Sequence, residues 1–139
     1  MYDTILVATD GSDAASAALE HALDLAAEVG ASVHVVTVVD PNSSLRFGVD
    51  EVDELDSAAQ DIVDEIVDAH DDHGVEITGT VRRGKPVQAI LDYADERTAD
   101  LIVVGQHGAD GLSGAILGST TDRLARLTTL PVVVVPATD

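Results

Sequence analysis

Two rhythms of apolar residues alternate along the chain. Short, nearly unbroken apolar runs stand at Thr4–Thr9, Val33–Val39, Leu101–Val104 and Val132–Val135. Runs of that length and make-up predict strands covered on both faces. Between them apolar residues recur at three- and four-residue spacing. Asp13–Val29 puts Ala15, Leu19, Ala22, Leu23, Ala26 and Val29 on one helical face, and Gly30 follows as a stop. Leu55–His73 does the same with Ala58, Ala59, Ile62, Val63, Ile66 and Val67, and Gly74 closes it. Shorter helices are expected at Val87–Arg97, after the turn Gly84-Lys85-Pro86, and at Ser119–Thr128. Val75–Arg83 differs: Val75, Ile77, Gly79 and Val81 alternate with Glu76, Thr78, Thr80 and Arg82, which predicts a half-exposed strand. Asp40-Pro41-Asn42-Ser43-Ser44 breaks the second run. From there to about residue 53 no period is clear, and a mobile excursion is expected.

Strands alternating with helices imply an α/β fold: one open, five-stranded parallel sheet with helices on both faces. Right-handed crossovers leave the orders 3-2-1-4-5 and 2-1-3-4-5. The alternating third strand suits an edge, and it is an edge only in the first order. The fifth strand is an edge in both, yet it reads Val132-Val133-Val134-Val135. A bare apolar edge invites pairing with another chain, so a homodimer seam is expected there.

Composition narrows the function. The chain has 139 residues, the size of one domain, and 45% of them are hydrophobic, which excludes disorder. Without Cys, disulfides, thiolate metal sites and thiol nucleophiles are excluded. Seven Lys and Arg against 26 Asp and Glu give a net charge of −19. A surface that acidic repels nucleic acid and anionic membranes, and aromatic residues for stacking on bases are scarce. The acids are spread over helix faces, at Asp13, Glu20, Asp24 and Glu28 and again at Asp61, Asp64, Glu65 and Asp68. Such a solvated acidic surface resembles that of proteins from salt-loving organisms, in which concentrated salt screens self-repulsion. The N-terminus carries no export signal and no run is long enough to cross a membrane, so a cytoplasmic location is expected.

In open α/β sheets ligands sit where the strand order reverses, beyond the carboxyl ends of the strands. In order 3-2-1-4-5 that point lies between Ala8-Thr9-Asp10-Gly11 and Gly105-Gln106-His107-Gly108. A carboxylate therefore faces a glycine-rich loop. The loop reads Gly105-x2-Gly108-x9-Gly118-Ser119-Thr120. Glycines let backbone N–H groups approach an anion, and a helix N-terminus favours phosphate. Asp10 suits sugar hydroxyls better than phosphate. Ser119-x2-Asp122 also reads as a capping box, which is compatible with phosphate binding.

With these residues in view, the chain resembles the universal stress protein A family over essentially its whole length. The opening Ile5-Leu6-Val7-Ala8-Thr9-Asp10-Gly11-Ser12, then Gly30-Ala31, Gly84-Lys85-Pro86 and Asp100–Gly105, carry the likeness with the spaced glycines and the closing Pro131–Val135. The complete G-x2-G-x9-G-S/T motif marks that family's ATP-binding branch. The resemblance implies a homodimeric, ATP-binding stress-response module, with ADP or AMP as related ligands, Mg²⁺ as a companion ion and an unidentified protein partner. It implies that Asp10 contacts the ribose, that Ala8 and Thr9 line the adenine pocket, and that Val39 meets the base. Gly105, Gly108, Gly118, Ser119 and Thr120, with Gln106 and His107 in the loop, would hold the phosphates. Family members often carry Pro at the position of Ala8 and Val at that of Thr120. The hydroxyl of Thr120 adds a group able to hold phosphate or Mg²⁺.

Other readings carry less. Gly79-x4-Gly84-Lys85 imitates the start of a Walker A loop, but Pro86 stands where that motif needs Ser or Thr. His70 and His73 share a helix face, as two weak metal ligands or as cations at a helix end. His21 and His34 read as packing residues, and Arg82-Arg83 as surface charges. A slow ATPase or phosphotransferase would have a phosphate cradle but no evident base beyond Asp10 or His107. A nucleotide-independent dimeric interaction protein is the remaining alternative.

Overall fold

The computed structural model describes residues 2–9, 13–39, 49–70, 74–105 and 119–136. Its elements run β1 (Thr4–Ala8), α1 (Asp13–Val29), β2 (Ser32–Val39), α2 (Val49–Ala69), β3 (Ile77–Arg83), α3 (Pro86–Arg97), β4 (Leu101–Gly105), α4 (Ser119–Leu127) and β5 (Val132–Val135). The five strands form one parallel sheet in the order β3-β2-β1-β4-β5, as the edge character of β3 predicts.

Strand alternation divides the core in two. Ile5, Val7, Val33, Val35, Leu101 and Val103 face one side, where α1 supplies Ala18, Leu19, Ala22, Leu23 and Ala26. Leu6, Val36, Ile102 and Val104 face the other, against Ile90 and Tyr93 of α3 and Leu124 of α4. The central strands are therefore apolar on both faces, which is why they read as continuous runs. Val29, expected on the buried face of α1, is 45% exposed. The helix stops there, because Gly30 follows with φ 75° and Ala26 accepts from the Gly30 and Ala31 amides.

The register of α2 differs from the expectation. The helix begins at Val49, inside the stretch read as an excursion, and ends at Ala69. Val49, Val52 and Leu55 are spaced three apart, a helical period hidden among acids, and those acids favour a helix N-terminus. At the other end, His70 Nδ1 lies 2.8 Å from the Ile66 carbonyl and closes the last turn. α2 approaches β3 closely at Gly79. A Cβ placed there would lie 2.0 Å from Val63 Cγ1, so this glycine is a packing residue and no part of a phosphate loop.

Three further residues read from the sequence find specific places. His21, expected to pack, is instead exposed on α1. Arg82 is more than a surface charge: it pairs with Glu96 at 2.9 Å and its guanidinium lies 5.0 Å from the ring centre of Tyr93. Tyr93 is fully buried, and its hydroxyl meets Thr80 Oγ1 at 3.0 Å and His34 Nδ1 at 3.4 Å. Burial and then the Arg97 guanidinium hold the His34 imidazole below its ordinary 6.5, with Glu76 pulling the other way.

That shift has a sign. The folded protein prefers neutral His34, so its contribution to stability is present above pH 6.5 and is lost as the pH falls through the lowered folded value. Urea denaturation at pH 7.5 and pH 5 should show a smaller loss of stability in His34→Gln than in the parent protein. An equal loss in both would place the pH dependence elsewhere.

Candidate nucleotide site

At the amino ends of the strands, Asp100 fixes the frame. Its Oδ2 accepts from the Asp3 and Thr4 amides at 2.8 and 3.1 Å, and these bonds hold its carboxyl below the usual carboxylate range. The bonds tie the start of β4 to the start of β1. Those two strands then run side by side, Val7 opposite Val103, to the point where the strand order reverses.

Backbone direction at the carboxyl ends follows from the ladder, in which alternate residues of a parallel strand bond to opposite neighbours. In β2 the Ser32 amide donates to Asp3, and the Val36 carbonyl accepts from Thr9. Even-numbered residues therefore turn their backbone toward β1. The Val33 amide donates to Glu76, and the Val39 carbonyl accepts from Gly84 at 2.9 Å, so odd-numbered residues turn toward β3. Val39 is buried and its carbonyl is engaged with the β3–α3 turn. Val38, which the sequence reading passed over, directs its amide and carbonyl toward β1 beyond that strand's last residue. Strand parity would have singled it out once the neighbours of β2 were known.

The other expected site residues divide into described and undescribed ones. Ala8 ends β1 and is partly buried against the α3 side of the core. Thr9 is buried, and its amide bonds to β2. Gly105 ends β4 and is buried. Ser119 and Thr120 open α4 as its first two residues, and their side chains lie outside the described residues. Asp10, Gln106, His107, Gly108 and Gly118 also lie outside them. Asp122, expected to complete a capping box, pairs with Arg126 one turn on at 3.1 Å.

One contact joins the two halves of the expected phosphate site. Thr121 is buried and its Oγ1 donates to the Gly105 carbonyl at 3.1 Å. The first turn of α4 is thereby held at the carboxyl end of β4. Amides at the start of a helix lack intrahelical partners and carry the positive end of its dipole. The switch point thus combines the ends of β1 and β4, the backbone of Val38, and a helix N-terminus suited to an anion.

The model of the Universal stress protein family matches residues 1–136. The chain belongs to that family. A curated relative, Universal stress protein YxiE of Bacillus subtilis, is 33% identical over 97% of this chain and 99% of its own. Among solved structures, protein MJ0577 of Methanocaldococcus jannaschii superposes with a TM-score of 0.88 at 27% identity, over 100% of this chain and 99% of that one. A universal stress protein in complex with cAMP gives 0.74 at 30% identity, covering 99% and 98% of the two chains. The universal stress protein of Archaeoglobus fulgidus in complex with dAMP gives 0.74 at 26%, covering 96% and 98%. These two related structures each hold an adenine nucleotide. Among the described residues of the present chain, no helix is long and apolar enough to cross a membrane.

Proposed function

We propose that this universal stress protein binds ATP at the switch point and acts as a regulatory module, occupancy being read out by a dimer or a partner protein. The observation that carries the reading is the convergence on Gly105. It ends β4 beside β1, it opens a complete G-x2-G-x9-G-S motif, and Thr121 ties it to the start of the helix that closes that motif. The nucleotide complexes of related structures support the ligand class. In this reading Asp10 accepts from the ribose, Ala8 and Thr9 wall the base, and Val38 offers it backbone groups. Val39 supports that wall by packing. Gly105, Gly108, Gly118, Ser119 and Thr120, with Gln106 and His107, surround the phosphates and an accompanying Mg²⁺.

Asp10→Ala is the direct test of the ribose contact. Losing a hydrogen bond to a carboxylate should cost about 1.5–3 kcal/mol of ATP affinity without unfolding the protein. Calorimetric titration of a folded variant with the parent's affinity would remove Asp10 from the site.

We also propose that two copies pair through β5. Val132–Val135 all remain partly exposed at the edge of the sheet, and Leu127, just before β5, is 58% exposed. An open apolar edge of this kind is satisfied by antiparallel pairing about a two-fold axis. With a net charge of −19 on each chain, light scattering belongs in multimolar salt, where repulsion between copies is screened. A dimer is expected, and a monomer under those conditions would contradict the seam.

A further inference from the structure

We propose that Thr121 is a positioning residue for the phosphates: its hydroxyl, bonded to the Gly105 carbonyl, fixes where the first amides of α4 point. The inference rests on the nucleotide-binding reading above and concerns a residue outside the glycine motif. The Ile102 amide donates to Pro131 on the β5 side, so Ile102 turns toward β5 and Gly105 turns toward β1. β1 ends at Ala8, and the Thr9 amide is committed to Val36 on the other flank. The last carbonyl of β4 thus faces a place where its neighbouring strand stops, and Thr121 donates to it at 3.1 Å from a position that is 6% exposed.

The rest of α4 cannot set that alignment as sharply. The helix has nine residues, and its fully buried anchor, Leu124, makes apolar contacts, which resist separation but are not directional. The Asp122–Arg126 pair is largely exposed and lies within the helix itself. A hydrogen bond from the first turn to the strand fixes rotation and height together. Amides already aligned in the free protein bind an anion without the cost of ordering them. The Thr121 hydroxyl therefore acts on the phosphates through α4, and the base and ribose lie beyond its reach.

The experiment compares ATP with adenosine, which keeps base and ribose and lacks the phosphates. Thr121→Val removes the hydroxyl at nearly constant volume, Thr121→Ala removes it with less bulk, and Thr121→Ser retains it. Calorimetry should show Thr121→Val and Thr121→Ala binding ATP about fivefold more weakly than the parent. Adenosine affinity should stay unchanged, and Thr121→Ser should restore ATP binding. In nucleotide-free protein, amide hydrogen exchange in the first turn of α4 should be faster in Thr121→Val and return in Thr121→Ser. A folded hydroxyl-less variant with parental ATP affinity would overturn the assignment, as would equal losses for ATP and adenosine. If the parent protein takes up neither ligand, the nucleotide reading falls and this assignment falls with it. Failure confined to the Thr121 variants overturns the assignment alone.

Discussion

Gly118→Val should leave a folded protein with no saturable ATP binding in the millimolar range. Gly118 precedes the first residue of α4 and closes the spaced-glycine motif. In the proposed site the phosphates approach the backbone there, and a branched side chain would stand between them and the amides. Ser119→Ala should do less, since the helix amides and dipole remain, and should cost at most about 1 kcal/mol of stability in the absence of nucleotide. Melting each variant with and without ATP separates the two effects, because a ligand stabilises the folded state by mass action. If ATP raises the melting temperature of Gly118→Val as much as that of the parent, the phosphates lie elsewhere, and the loop is structural.

Gly79→Val should be among the most destabilising single changes in the molecule. Its Cβ would fall 2.0 Å from Val63 Cγ1 and 3.1 Å from Val67 Cγ2, both on α2. Val63 is 1% exposed, so it cannot turn out into solvent without leaving the core. Valine favours strands, but that gain is worth at most about 1 kcal/mol. Forcing extra atoms into a packed core costs about 1–3 kcal/mol, a large share of a domain's marginal stability. Urea denaturation should show the loss at an unchanged slope. Moving the volume across the contact, with Gly79→Ala and Val63→Ala together, should recover part of what Gly79→Ala alone loses. A Gly79→Val protein as stable as the parent would mean that α2 does not press on β3 here.

Some of this was legible in the sequence for local reasons. The alternation in β3 marks it as an edge, and with the continuous runs of β1, β2 and β4 it selects the order of the sheet. Order alone then locates the switch point. Features that depend on distant partners were hidden. Arg82 reads as a surface charge until Tyr93 and Glu96 of α3 are laid beside it. Val38 and Val39 are equivalent in the sequence, and only the ladder shows which backbone faces β1. Among Ser119, Thr120 and Thr121 the sequence names no inward residue. Helical spacing from the buried Leu124, three residues on, would have pointed to Thr121. The start of α2 was obscured by acids that carry no apolar period of their own.

Calorimetric titration of the purified chain, stripped of any bound small molecule and held in multimolar salt, tests the central claim most directly. The account predicts saturable ATP binding at one nucleotide per chain, displaced by excess AMP and weakened by Asp10→Ala. No heat of binding up to millimolar ATP, in protein shown to be folded by its melting transition, would contradict it.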